Sequence, residues 1–239
     1  MKQLIFFCFT LFFIASCEKT SDENANNNKT SPNLSFVLSH GSEVQLNNAL
    51  VFDDFNLKIN DFKIYLSEVY LHQNDDSTLW ADIAMIDKQD NPYLVNQFYT
   101  LPEGSYDAIS FGIGVKPNIN DSMQPGDFAA SHPLGFSASN GMHWGWETGY
   151  KFFVFDCLAD TGSGVFDYPI SYHVGLSELY QRVKLNMATS SDASFITIDQ
   201  NIDHIFANDS LDIKTENQTH STSNKELAIK GLSAYSAME

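Results

Sequence analysis

Apolar residues in this chain recur at every second position, in short runs broken by Asn, Asp, Gly and Pro. That period limits the possible folds more than any other feature of the sequence. In Tyr106–Lys116, the residues Ile109, Phe111, Ile113 and Val115 alternate with small or polar ones. Phe166, Tyr168, Ile170, Tyr172 and Val174 do the same, which turns Ser171 and His173 towards a second, more polar face. Leu179, Val183 and Leu185 form a third such series, with Arg182 and Lys184 opposite. A period of two belongs to a half-buried strand, because successive side chains point to opposite faces. Leu34–Ser39, Phe55–Leu71, Leu79–Ile86 and Tyr150–Cys157 add further β-rich runs. Helical signals are confined to a turn or two near Ile202–Phe206 and a stretch from a plausible N-cap at Ser223-Asn224 to about Met238. In the second of these, Ala228, Leu232 and Tyr235 share one side. Strands first and a helix last predict a mainly β fold, an antiparallel β-sandwich with a C-terminal helix. No fixed-period repeat is present.

The first residues read as an address. Met1-Lys2-Gln3 precedes an apolar run from Leu4 to Ala15, and Ser16-Cys17 follows. A basic start, a short apolar core and small residues before a cleavage point describe a bacterial secretory signal over residues 1–16. The run is too short for a comfortable permanent span. Ile14-Ala15-Ser16-Cys17 resembles a lipobox, so Cys17 is expected to carry lipid. Residues 17–33 then form a flexible polar tether, and residues 34–239 a single domain. The expected location is the bacterial periplasm or cell surface, held to the membrane, the outer one by preference, through lipid at Cys17. Of three cysteines, Cys8 leaves with the signal and Cys17 is lipidated. Cys157 is left alone, so no intrachain disulfide can form and the fold must rest on its core. Cys157 itself reads as a buried structural thiol.

Composition agrees with a globular chain: 43% of residues are hydrophobic and only 18% charged. A net charge of −17 excludes a nucleic-acid binder, which needs clustered Lys and Arg to meet phosphate.

Familiar catalytic patterns are missing: no Gly-rich phosphate loop, no His-Glu-x-x-His, no CxxC and no GxSxG. The seven histidines (His40, His72, His132, His143, His173, His204, His220) form no close pair that would define a zinc site. The densest segment is Gly141-Met142-His143-Trp144-Gly145-Trp146-Glu147-Thr148-Gly149-Tyr150-Lys151. Three readings of it stand open: tryptophans sealing one end of a sandwich, an aromatic platform for a sugar ring, or a soft-metal site. Met, imidazole and electron-rich indole are the company that Cu(I) or an oxidant keeps.

Five pieces in order resemble the copper-binding MbnP-type family, named for a protein encoded beside methanobactin genes. They are Phe36-x-x-x-His40, Phe62-Lys63-Ile64-Tyr65-Leu66-Ser67, Leu101-Pro102-x-Gly104-x-Tyr106 leading to Phe111-x-Ile113-Gly114-Val115, Gly141-Met142-x-Trp144-x-Trp146-x-x-Gly149-Tyr150-Lys151, and Tyr172-His173-x-Gly175. The resemblance covers residues 34–176. It implies a β-rich exported protein that binds a single copper ion, best as Cu(I), through histidines. It also implies that one tryptophan of the WxW motif is oxidised to kynurenine by a partner di-haem enzyme of the MbnH type, and lies at the metal. Carried over by motif, His40 and His173 lead as ligands. Trp144 is the residue expected as kynurenine, with Trp146 the alternative. Met142 offers a thioether, although packing is its commoner role. His132 and His143 lie near the motif in sequence, and His220 is a candidate to fold back over the site. The expected role is copper sequestration or transfer without turnover, so not an enzyme. The rival class is a glycan- or peptide-binding surface lipoprotein using Trp144, Trp146 and Tyr150 as a platform. A metallohydrolase is the weakest class, since no carboxylate is recognisably placed as a base beside a histidine pair.

Overall fold

A computed structural model describes residues 33–88, 101–102, 104–139, 141–145, 149–187, 195–206, 212–220 and 235–238. The expected signal and nearly all of the tether lie outside the described residues, as do Trp146 and most of the expected terminal helix.

In chain order the elements are β1 (Asn33–Ser39), β2 (Leu50–Val51), β3 (Asn56–Gln73), β4 (Asp76–Asp87), β5 (Ala108–Ile113), α1 (Pro117–Asn120), β6 (His143–Gly145), β7 (Gly149–Tyr150) and β8 (Phe153–Asp160). After these come β9 (Tyr168–Val174), β10 (Gln181–Asn186), β11 (Phe195–Asn201), α2 (Asp203–Phe206), β12 (Gln218–His220) and β13 (Tyr235–Met238). The large sheet runs β10-β5-β3-β8-β9-β12, with β2 and β4 also paired to β3. A smaller sheet runs β1-β11-β13, and β6 and β7 form a short ribbon.

β3 is the spine. Its first half pairs with β8, from Asn56↔Asp160 to Ile64↔Phe153, and its second half with β5, from Leu66↔Ile113 to His72↔Ala108. The handover falls at Tyr65, whose N–H donates to the Phe152 carbonyl (3.0 Å) while its carbonyl accepts from Gly114 N–H (2.8 Å). Just beyond, Glu68 sits at φ +47°, within a register shift that bends the strand. Its carboxylate is held by Arg182 (2.9 Å) and Lys116 (3.5 Å).

Alternation sorts the side chains into two layers. Phe62, Ile64, Phe111, Phe153, Phe155, Cys157, Ile170 and Tyr172 face the main core, where Leu34, Phe36, Leu38, Ile196 and Ile198 of the smaller sheet meet them. Tyr65, Val115, Leu134, Met142, Tyr150, Phe152 and Val154 form a second apolar cluster. The 129–139 segment is fixed over this second cluster by two tyrosines: Tyr65 O–H donates to the Pro133 carbonyl and Tyr150 O–H to that of Leu134, both at 2.9 Å. Cys157 is a free, buried thiol, and burial pushes its pKa well up.

The mainly β sandwich agrees with the period-two pattern, with two departures. Most pairings are antiparallel, but β1 lies parallel to β11 and β12 parallel to β9. The chain end also differs from the helix expected up to Met238. Residues 235–238 are a strand, paired antiparallel to β11 from Thr197↔Met238 to Gln200↔Tyr235. β11 would otherwise leave a row of unpaired backbone groups at that edge, and satisfying them outweighs a weak local helix preference.

Candidate functional site

Antiparallel pairing places Val154 opposite His173 and Asp156 opposite Ser171, so these four share the face turned away from the main core. This is the polar face that the alternation in β9 predicts. β12 then adds itself to the free edge of β9 in parallel register, setting His220 beside His173. Hydrogen bonds from β9 secure the approach to β12. Tyr168 and Tyr172 donate to the carbonyls of Lys214 (2.8 Å) and Glu216 (3.0 Å), and Ser171 N–H donates to that of Asn217 (2.8 Å). Thr219 is fully buried beneath the strand.

The ribbon of β6 and β7 brings the third member. His143 pairs with Tyr150, and Lys151 N–H donates to the Met142 carbonyl at 2.7 Å. Its base is pinned by the buried Asn120 of α1, whose Oδ1 accepts from Tyr150 N–H (2.7 Å) and whose Nδ2 donates to Ser177 Oγ (3.0 Å). Gly149 turns there at φ +70°, where a Cβ would stand 2.6 Å from the Asn120 carbonyl oxygen. Trp144 thus reaches over the end of β9. A Cβ on Gly175 would lie 2.7 Å from Trp144 Nε1 and 2.4 Å from the Tyr150 carbonyl oxygen, so only glycine admits the indole.

Trp144, His173 and His220 therefore form a triangle. The ring centroids are 5.9 Å apart for Trp144–His173, and 5.5 Å apart for both Trp144–His220 and His173–His220. His173 Nε2–H donates to Asp156 Oδ1 at 3.0 Å, and Ser171 Oγ donates to the same oxygen at 2.6 Å. Burial alone would raise the Asp156 pKa, but these two bonds outweigh it and hold the carboxyl below its ordinary value. Partial desolvation, with His173 and Lys151 nearby, pushes His220 below its ordinary value and towards the neutral imidazole. Lys151 Nζ lies 4.9 Å from the centre of the Trp144 ring.

The other expected site residues lie elsewhere. His40 directly follows β1, with both ring nitrogens engaged: Nδ1 with Asp203 of α2 and Nε2 with the Val51 carbonyl (2.9 Å). Its ring stacks on Phe52 at 4.4 Å, and Phe52 leads through Phe206 to Tyr172 on the core side of the large sheet. The structure thus puts a sheet between His40 and His173. His132 stacks on Phe128 at 4.6 Å, and its Nδ1 accepts from Leu134 N–H. His143 stands edge-on to Tyr150 at 4.7 Å, and burial lowers its pKa. Met142 and Tyr150 are fully buried in the second apolar cluster. Met142 therefore packs, and Tyr150 offers no face to a sugar. His72 bonds Ser110 Oγ at 2.8 Å on a different part of the sheet.

The sequence profile of the MbnP family matches residues 29–224. The chain belongs to the MbnP family. The solved structure of MbnP from Methylosinus trichosporium is similar, at 15% identity and a TM-score of 0.49, covering 77% of this chain and 80% of that one. No curated protein matches the sequence. Within this MbnP sequence, the WxW and Tyr-His-x-Gly pieces, distant in the chain, meet where Trp144 lies on Gly175.

As a donor set the triangle suits a soft monovalent ion. Two imidazoles sharing one ion through facing nitrogens have centroids at most roughly 6 Å apart, given metal–nitrogen bonds of about 2 Å, and His173 and His220 stand within that limit at 5.5 Å. Among the described residues no three or more of His, Cys, Asp and Glu converge as a metal group. Two neutral imidazoles suffice for low-coordinate Cu(I). Asp156 supplies the outer-sphere carboxylate that typically orients a ligating histidine. Sequence reasoning did not single out Asp156, Lys151 or Asn120. The signal for Asp156 was its place between Phe155 and Cys157, a polar position in an alternating run.

Proposed function

We propose that this protein binds one copper ion, best as Cu(I), between His173 and His220, with Trp144 at the same site. Family membership places the chain with the methanobactin-associated proteins. The observation that carries the copper reading is the convergence of Trp144, His173 and His220 from three separate elements. Oxidation of Trp144 by a di-haem enzyme of the MbnH type, with peroxide or dioxygen as the oxidant, would cleave the indole C2–C3 bond, and hydrolysis would release C2 as formate, leaving the aryl amine and ketone of kynurenine. Either group is a better donor than an indole N–H. The triangle also lies at the surface, with His220 exposed and Trp144 half-buried, so an ion is within reach of a partner or of solvent. That accessibility favours capture and transfer over catalysis. Among the described residues no helix is long and apolar enough to cross a membrane. Export, and anchoring through lipid at Cys17, complete the reading and hold the site outside the cytoplasm.

The test is stoichiometric Cu(I) titration against a chromophoric competitor. One ion per chain is expected, lost in His173→Ala and in His220→Ala and retained in His40→Ala. Unchanged affinity in both of the first two variants would falsify the site. Mass mapping of the peptide bearing Trp144, from protein made in its native host, reads the modification directly.

A further inference from the structure

The ribbon that carries Trp144 belongs to a different sheet from His173, and the backbone passes from one to the other in a single step. Lys151 N–H still donates to the Met142 carbonyl of the ribbon, whereas Phe152 N–H already donates to the Val174 carbonyl at the end of β9. Such a step is a hinge unless a second contact fixes its angle. The amide of Asn120 makes that contact. Its Oδ1 accepts from Tyr150 N–H in the ribbon (2.7 Å), and its Nδ2 donates to Ser177 Oγ in the turn after β9 (3.0 Å). Ser177 O–H donates onward to Asp121 Oδ1, so the hydroxyl is held from both sides. Asn120 is buried, and its neighbour Ile119 seats α1 against the second apolar cluster. Gly149 fits closely beneath: a Cβ there would stand 2.6 Å from both the carbonyl oxygen and Oδ1 of Asn120.

We infer that Asn120 is a positioning residue for the proposed site, bracing the Trp144 ribbon against the end of β9 and so fixing the Trp144 ring relative to His173 and His220. The inference rests on the copper reading. Asn120 acts through Tyr150 and Ser177, and both levers are short. Tyr150 pairs with His143, the neighbour of Trp144, and Ser177 follows closely on Gly175, whose bare backbone receives the indole. A donor group is useful only when held within about 0.5 Å of its productive place. An isolated two-stranded ribbon is too marginal to hold a ring so closely, whereas hydrogen bonds to a packed element can. Asparagine suits the task because one planar group offers an acceptor to an N–H and a donor to a hydroxyl. Leucine, of similar size, has neither and would leave the buried Tyr150 N–H without its partner.

The test reads ring geometry and affinity separately, in the full chain. In the metal-free protein, proton NMR contacts between the Trp144 indole and the His220 ring are expected in wild type and lost in Asn120→Leu and Ser177→Ala. Ser177 is only half-buried, so Ser177→Ala carries the test where Asn120→Leu fails to fold. Ser177→Thr, which keeps the hydroxyl, is expected to retain the contacts. Tyr65→Phe gives up a buried hydrogen bond to Pro133 and so lowers stability without touching the brace; it too should retain them. Cu(I) affinity by chelator competition should follow the same order, with Asn120→Leu and Ser177→Ala about tenfold weaker than wild type. Ring contacts that survive in Ser177→Ala, or that are lost equally in Tyr65→Phe, overturn the inference while leaving copper binding intact. Wild-type protein that takes up no Cu(I) removes the copper reading itself, and this role with it.

Discussion

His220 and His40 are the same side chain in opposite surroundings. His40 lies against Asp203, and that hydrogen bond raises its pKa above the ordinary 6.5. Both of its nitrogens are engaged, and its ring is clamped against Phe52. His220 lies beside another histidine and a lysine, and with partial desolvation they push its pKa down. A proton is welcome at the first and unwelcome at the second. A histidine with both ring nitrogens already engaged is a structural pin, because ligation needs a lone pair. A histidine whose proton is disfavoured among rings suits the ligand role proposed for His220. Residue type alone does not separate the two.

Removing the rings is the strongest way to test this contrast. His173→Ala and His220→Ala should each weaken Cu(I) binding by more than about a hundredfold, beyond the 10–100-fold typical of an outer-sphere partner. His40→Ala should leave the affinity within about twofold under the same competitor, since nothing at His40 touches the triangle. Gly175→Ala attacks one region and spares the other. Its methyl would overlap Trp144 and the Tyr150 carbonyl, so a loss of about 1–3 kcal/mol in denaturant unfolding is expected. The Trp144 ring would move as well, read as a change in ultraviolet fluorescence, while the His40 pin stays in place.

A subtler change leaves every ring present. Asp156→Ala frees the His173 ring to turn, and should weaken Cu(I) about 10–100-fold. The loss of the Asp156 partner should also appear in the metal-free protein, as altered His173 ring-nitrogen shifts in NMR.

The smallest effect belongs to the pin. Because folding raises the His40 pKa, its contribution is complete below about 6.5 and is lost as pH rises through the higher folded value. Stability measured from pH 6 upward should therefore fall by less than about 1 kcal/mol, the scale of a partly exposed ion pair. That slope should flatten in Asp203→Asn. A slope that persists there would assign it to another group.

Much of this architecture was legible from the period-two runs. The alternation in β5 and β9 gave the strands, and in β9 it also gave the outward turn of His173. The meeting of Trp144 with His173 was implied by family resemblance, and its physical basis is the bare backbone of Gly175. Other features were beyond local pattern. His40 directly follows a strand of the smaller sheet, and only knowledge of which sheet β1 joins reveals the side it occupies. β11 pairs with β1 across more than 150 residues of chain, a parallel register that no short window encodes. The arrival of His220 beside His173 depends on a strand of three residues, too short for any periodicity to show. Asn120, which holds the ribbon from α1, carried no signal beyond a proline at the start of a helical turn.

Of all the strands in the large sheet, β12 comes last in the chain. The other strands of the large sheet can find their partners while β9 still shows a bare edge, so half of the proposed copper clasp is built before the other half arrives. A chain emerging from a translocation pore amino end first would present His173 and Trp144 early and His220 only near the finish. The metal would then act as a lock turned after assembly, not as a seed for it. If the chain is exported and binds copper as proposed, an ion met on the way would find one imidazole at the site, too few to be gripped there, and the finished protein would load copper in a separate event.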